Sequence, residues 1–339
     1  MKLKLLVVYA FAALFIRPVT IEVTDKDDKG KAMIRDESLS SICFGGDKCL
    51  VTGNKSGFLD LWDIGSRKRV AHEQVAKLPI TLLQSVGSNK YVSFIVGGSE
   101  IDTFELDSKR CRQIVIYDSN PIEYRLTSDC KQCVSIHRDG SLRLYDIVAG
   151  KETATVHPLF ISPNASLGSL SLSCDNKLVA VTVNGGALKK DPQVVVYQLP
   201  MLVRMSDYSV SAQSAASVEF HTTEPEILAM PAGQKAVRLI NVYDGDAESK
   251  TIELPERLLR LKFAPSGNAL VVSCLEGCVT VIRKGMPRDL VQFSDPPYMM
   301  RALSVNPGNN LLALLVCDKT PEVFLYDLEN MKPYNGAGK

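Results

Sequence analysis

The chain has 339 residues, 45% of them apolar and 23% charged, which is enough material for a large core and far from the composition of a disordered chain. A net charge of +1 removes any bulk electrostatic reason to expect nucleic acid or an anionic surface as the main partner, and leaves only local patches. Nine cysteines, an odd number lying mostly in or beside β-like stretches, fit buried reduced thiols rather than a disulfide framework, and so point to the cytosol or nucleus.

At the N-terminus, Lys2 and Lys4 precede an apolar run at 5–16, LLVVYAFAALFI. It has the shape of a secretory leader, but it is short for a membrane span, and Arg17-Pro18 is a poor exit from a leader. The favoured reading is a first β segment, with a signal or anchor as the minority one. Val19 to Val23 is β-branched, and 24–31 is a charged loop. Regular units begin at Leu39. Each opens with a short strand and a Gly-, Asn-, Asp- or Ser-containing turn: GGDK at 45–48, GSNK at 87–90, SDCK at 128–131, CDNK at 174–177, TTEPE at 222–226, PSGN at 265–268 and PGNN at 307–310. A second strand, a second turn and an anchor strand follow, and a polar fourth strand ends the unit, as suits an outer edge.

The anchor strands share one word. SGFLDLWDI at 56–64 returns as IDTFEL (101–106), LRLYDI (142–147), VVVYQL (194–199), VRLINV (237–242), VTVIRK (279–284) and VFLYDL (323–328). The anchors Trp62, Phe104, Tyr145, Tyr197, Ile240, Ile282 and Tyr326 are 41–44 residues apart, except for one interval of 52 between Tyr145 and Tyr197. Four strands per unit at this period predict an all-β protein, a seven-bladed propeller of four-stranded antiparallel blades. The pattern divides the chain into an N-terminal segment (1–38), the propeller (39–330) and a tail (331–339). The tail is a poor fourth strand for the last unit, so a strand from the N-terminal segment, at 15–23, is expected to close that blade and remove its open edge.

These units resemble the WD40-repeat family of seven-bladed propellers that serve as interaction platforms. The resemblance covers about 39–328 and is strongest at Leu59-Asp60-Leu61-Trp62-Asp63-Ile64, with Leu142-Arg143-Leu144-Tyr145-Asp146-Ile147 after Asp139-Gly140 as a close variant. Only one unit has the Trp-Asp pair, and none has the Gly-His dipeptide, for which His157 is the nearest stand-in. The resemblance implies structural roles for Trp62, Asp63, Asp139, Tyr145, Asp146 and Tyr326. It implies apolar packing in most blades in place of the family's His-Asp-Trp network.

No chemistry stands out. No phosphate loop occurs. Cys130-x-x-Cys133 and Cys274-x-x-x-Cys278 have zinc-like gaps, but the repeat register puts them in blades three apart and on opposite faces, so no metal or other cofactor is expected. His72 falls on an outer strand and His221 in a lower turn, while His137 and His157 reach the upper rim of unit three. Glu123, Arg125, Glu219, Arg260, Lys262 and Arg301 fall on first strands and read as channel-lining, ion-paired groups. Asn54 and Asn164 sit in glycosylation triplets that carry little weight at this chain length.

The expected function is therefore a non-catalytic scaffold for protein partners in a larger intracellular assembly, with no small-molecule ligand. One alternative is a subunit of a nucleolar or other ribonucleoprotein complex, resting on the basic loop residues Lys55, Arg138, Lys189, Lys190 and Lys235. Another is a secreted or membrane-anchored propeller, a lactonase-like hydrolase by fold analogy. The 52-residue interval places two insertions in unit four, at 157–168 and 184–193, both opening on one face. There Phe160 and Leu188 are the expected anchors for a partner, with Asn164 in the same loop and Lys189 and Lys190 steering.

Overall fold

The computed structural model describes residues 19–21, 32–86, 89–157, 166–184, 192–210, 217–275, 278–283, 289–292, 299–308, 310–317, 320–329 and 331–334. Its strands begin with β1 (Val19–Ile21) and β2 (Ile34–Arg35). Blade one is β3 (Leu39–Phe44), β4 (Cys49–Asn54), β5 (Phe58–Asp63) and β6 (Lys68–Gln74). Blade two is β7 (Ile80–Val86), β8 (Tyr91–Val96), β9 (Glu100–Glu105) and β10 (Arg110–Ile116). Blade three is β11 (Pro121–Leu126), β12 (Gln132–His137), β13 (Leu142–Asp146) and β14 (Lys151–Val156). Blade four is β15 (Ser166–Leu172), β16 (Leu178–Asn184), β17 (Gln193–Gln198) and β18 (Val203–Ser209). Blade five is β19 (Glu219–Phe220), β20 (Ile227–Gly233), β21 (Ala236–Asn241) and β22 (Gly245–Glu253). Blade six is β23 (Leu258–Phe263), β24 (Ala269–Cys274), β25 (Cys278–Arg283) and β26 (Asp289–Gln292). Blade seven has β27 (Met299–Val305), β28 (Leu311–Cys317) and β29 (Pro321–Asp327).

Within each blade the strands pair antiparallel in sequence order. Second strands such as LVAVTVN and LLALLVC are buried along almost their whole length, because each blade is covered on both faces by its neighbours. Fourth strands such as KRVAHEQ are mostly exposed. The core accordingly divides into seven apolar wedges, one between each pair of neighbouring blades.

All seven anchors lie on third strands, each opposite a second-strand residue: Trp62 faces Leu50, Phe104 Val92, Tyr145 Cys133, Tyr197 Val179, Ile240 Leu228, Ile282 Leu270 and Tyr326 Leu312. A bulge between third and fourth strands falls at the anchor in blades one, three, four and five, which adds twist where the blade widens. The turn before Trp62 requires glycine. Gly57 has φ +85°, and a Cβ there would lie 2.2 Å from the Ala76 carbonyl oxygen.

Blade seven is closed from the N-terminal segment, but the strand differs from the expected one. Ile34 and Arg35 pair antiparallel with Val323 and Glu322, and the Met33 amide donates to the Val323 carbonyl. The C-terminal tail takes the other half of the same edge: the Tyr334 amide donates to the Leu325 carbonyl, and Pro333 bridges to Tyr326. Both ends of the described chain thus clasp β29. The stretch expected to close the ring instead contributes β1, which pairs in parallel with β26 and makes blade six five-stranded.

Trp62 sits half-buried at the clasp, in the wedge between blades one and seven, with Tyr334 among the neighbouring apolar groups. Its ring N–H donates to Thr52 Oγ1 at 3.0 Å, and the Arg69 guanidinium lies 5.9 Å from the ring centroid. Because part of the ring is exposed, Trp62→Ala should cost about 2–3 kcal/mol, below the ~3–5 kcal/mol of a fully buried aromatic. Urea denaturation of the variant checks this, and an unchanged midpoint would remove Trp62 from the closure.

Candidate functional site

One face of the ring carries the connections from each fourth strand to the next first strand, and the turns between second and third strands. Most are short. The strand limits leave nine residues at 157–165 and eight at 185–192, where the sequence places the two insertions. They also leave nine at 210–218, which the repeat spacing conceals: β19 has only two residues and the 234–235 turn only two, so the interval from Tyr197 to Ile240 stays ordinary. Long connections on one face of a rigid scaffold are where binding residues concentrate. The expected anchors Phe160 and Leu188, with Asn164, Lys189 and Lys190, lie outside the described residues.

On this face a cavity of about 610 Å³ opens across blades two, three and four. Leu82, Ile95, Ile122 and Leu167 give it apolar walls, and Asn120, Arg138 and Ser166 a polar rim. Leu82 occupies a bulge of β7 with φ +52°, a left-handed conformation that costs a leucine about 1–3 kcal/mol. Tyr124 holds it there. The buried Tyr124 hydroxyl donates to the Leu82 carbonyl at 3.2 Å, and the Tyr124 carbonyl accepts from Gln84 Nε2 at 2.7 Å. Such a conformation, fixed by a neighbouring blade at a cavity wall, is preorganised geometry of the kind found at binding sites.

His137 closes the inner end of the cavity and is fully buried. Its Nδ1–H donates to the Ser119 carbonyl at 3.0 Å, and its Nε2 lies 2.8 Å from Ser135 Oγ, which in turn lies 2.9 Å from the Tyr117 hydroxyl. The Tyr117 ring meets the His137 and Tyr145 rings edge-on. Burial outweighs the Ser119 contact and pulls the His137 pKa down to about 4, so the ring is neutral at physiological pH. Blade three therefore contains a polar network and does not rely on apolar packing alone. It is built around His137, whereas the expected stand-in His157 is exposed at the end of β14.

At the rim, Arg143 gathers Asp118 at 2.7 Å and Asp139 at 2.6 Å. Burial works against the Asp139 charge, but hydrogen bonds from Ser141 and the Arg143 guanidinium outweigh it and hold the carboxyl well below the usual range. Asp139 thereby fixes the turn that carries Arg138. Asp63, Asp146 and Asp327 do comparable work in the lower turns, accepting from the amides of Ser66, Ala149 and Glu329. Tyr326 is buried between blades six and seven.

The remaining chemistry-bearing residues are tied into the scaffold. Lys262 reaches Glu219 at 2.6 Å, and Arg125 reaches Glu123 at 2.8 Å and Glu219 at 4.0 Å, so these four charges neutralise one another. Arg260 and Arg301 are exposed. His72 Nδ1 bonds Asp60 at 2.6 Å, and His221 spans to the Gly267 carbonyl at 2.9 Å. Cys130 and Cys133 lie in blade three, Cys274 and Cys278 in blade six, as the register implied.

The fold is that of a seven-bladed β-propeller. Among solved structures it is similar to a chain of one titled "Crystal Structure of Mitotic Checkpoint Complex", with a TM-score of 0.66 and 12% identity over 87% of this chain and 89% of that one. No protein-family profile and no curated protein matches the sequence.

Proposed function

We propose that the protein is a non-catalytic scaffold that holds protein partners within a multisubunit assembly of the cytoplasm or nucleus. One observation carries this reading. A preorganised cavity on one face has apolar walls and a rim that carries Arg138, the mixture of core and rim that suits a protein interface. The likeness to a chain from a multiprotein checkpoint complex supports the same class of use.

The test is affinity purification of the tagged full chain with mass spectrometry, beside two variants that keep the fold: Asn120→Lys/Arg138→Glu, and Phe160→Ala/Leu188→Ala/Lys189→Glu/Lys190→Glu. A shared set of partners should fall at least tenfold in both. Full retention by both would reject this face as the interface.

A second reading has its own observation. The second-to-third-strand turns of blades one, three and five carry Lys55, Arg138 and Lys235, all opening on this face, and the sequence puts Lys189 and Lys190, outside the described residues, between β16 and β17. That row suits a ribonucleoprotein partner. Lys235 already pairs with Glu256 at 2.9 Å, and the Lys55 ammonium donates to the Glu37 carbonyl, which leaves the protein-partner reading ahead. Loss of the partners on RNase treatment of the purification would reverse that order.

A further inference from the structure

A second concave surface lies away from this face, on the outer rim. It is a groove of about 780 Å³ between β10, the outermost strand of blade two, and the lower turns of blade three at 128–131 and 147–148. Ile114 and Ile147 are half-buried in it, and Val148 at its lip is 77% exposed, the most open of the large apolar side chains described.

The groove's charges are unevenly satisfied. Its carboxylates are taken: Glu105 accepts from Ser108 Oγ at 2.5 Å and pairs with Lys90 at 3.2 Å, and Asp129 accepts from Thr127 Oγ1 at 2.7 Å and the Lys131 amide at 3.1 Å. These contacts hold both carboxyls below their ordinary pKa, so both stay ionised, and each is matched by a lysine, Glu105 by Lys90 and Asp129 by Lys131 at 3.7 Å. Arg110 and Arg112 are exposed, and among the described residues neither guanidinium has an ion pair or hydrogen bond. They stand opposite Glu105 and Thr103 on one side of β10, two residues and therefore about 7 Å apart. That separation matches alternate side chains of a second extended chain. The free backbone edge of β10 lies beside them.

We propose that this groove docks an extended acidic segment of a partner protein, with two carboxylates at alternate positions on Arg110 and Arg112 and an apolar side chain against Ile114, Ile147 and Val148. Charge complementarity selects this occupant. A single-stranded nucleic acid needs stacking platforms as well as cations, and among the described residues that line the groove the one aromatic ring, Tyr91, already has the Lys90 ammonium 5.4 Å from its centroid.

The experiment is selection of a phage library of random dodecapeptides on the full chain, followed by synthesis of the most enriched peptide. Enriched sequences should carry Asp or Glu at alternate positions beside an apolar residue. The synthetic peptide should bind at least tenfold more weakly to Arg110→Glu/Arg112→Glu and to Val148→Asp. It should bind equally to Lys68→Glu/Lys250→Glu, which makes the same change in net charge elsewhere, with melting curves confirming that every variant folds. No enrichment, enrichment of sequences lacking acids, equal binding to the groove variants, or equal weakening by the control pair would each overturn the proposal. So would displacement of the peptide by a single-stranded oligonucleotide at equal concentration.

Discussion

Deleting residues 1–36 is expected to lower stability by about 3–5 kcal/mol, while deleting 1–23 should cost no more than about 1 kcal/mol. The larger deletion removes β2, whose Ile34 is 4% exposed in the wedge with Leu39, Leu311 and Val323. Full burial of such a side chain is worth about 2–3 kcal/mol. The hydrogen bonds from the Met33 amide to Val323 and the Asp36 amide to Pro321 add about 1 kcal/mol each. The Arg35–Glu322 pair at 2.9 Å adds little, since Arg35 is 69% exposed. Losing β2 also frees half the edge of β29, and half an edge is an aggregation hazard. The smaller deletion removes only the three-residue parallel pairing of β1 on β26. Thermal melts decide between them: a fall of about 5 °C is expected for 1–36 and at most about 2 °C for 1–23 at this chain length. Ile34→Asp in the full chain should match the larger fall. Equal melting of the two truncated proteins would place the closure back in 15–23.

The ring was legible in the sequence because its information is periodic. Seven anchors one repeat apart, each preceded by a turn of the right chemistry, could be satisfied by few other folds, and every anchor falls at the same rung of its blade. What escaped is local and aperiodic. β2 is two residues long, too short for alternation to show, whereas the apolar stretch before it looks more like a strand and pairs elsewhere. The connection at 210–218 is hidden because a shortened strand and a tight turn in the same blade cancel its length. The left-handed Leu82 has no residue-type signal, because leucine is not expected there and is held only by contacts from the next blade. Likewise, that His137 and not His157 builds the network of blade three depends on which ring turns inward, and spacing does not encode it. The candidate cavity draws on blades two, three and four at once, so only assembled geometry brings Leu82, Ile122 and Leu167 together.

Two buried groups should make the pH dependence of stability nearly flat by opposing one another, and single substitutions should expose each. Asp102 is 6% exposed, its Oδ1 has no hydrogen-bond partner among the described residues, and its Oδ2 accepts the Cys111 thiol at 3.7 Å. Burial and the nearby Glu100 charge push its pKa up to about 6. A carboxyl raised above its unfolded value near 3.9 costs stability while ionised, and it returns that stability as pH falls through about 6. His137 works the other way. Its depressed pKa of about 4 means that stability is complete above the unfolded value near 6.5 and is lost as pH falls toward 4. Between pH 6 and pH 4.5 each contributes about 2 kcal/mol at 1.36 kcal/mol per pKa unit, with opposite sign. Carboxylates held low, such as Asp139, lose their contribution only below this window. Asp102→Asn should therefore raise stability at pH 7 by about 2 kcal/mol, since an amide can accept from Cys111 and donate to Glu100 without a buried charge. The same variant should lose about 2 kcal/mol between pH 6 and pH 4.5 as His137 takes up its proton unopposed. His137→Asn should be less stable at pH 7 through loss of the Ser119 and Ser135 contacts, yet should gain stability as pH falls over that window. Urea midpoints at pH 7, 6, 5 and 4.5 measure all three proteins, and slopes of the same sign in the two variants would overturn the opposition.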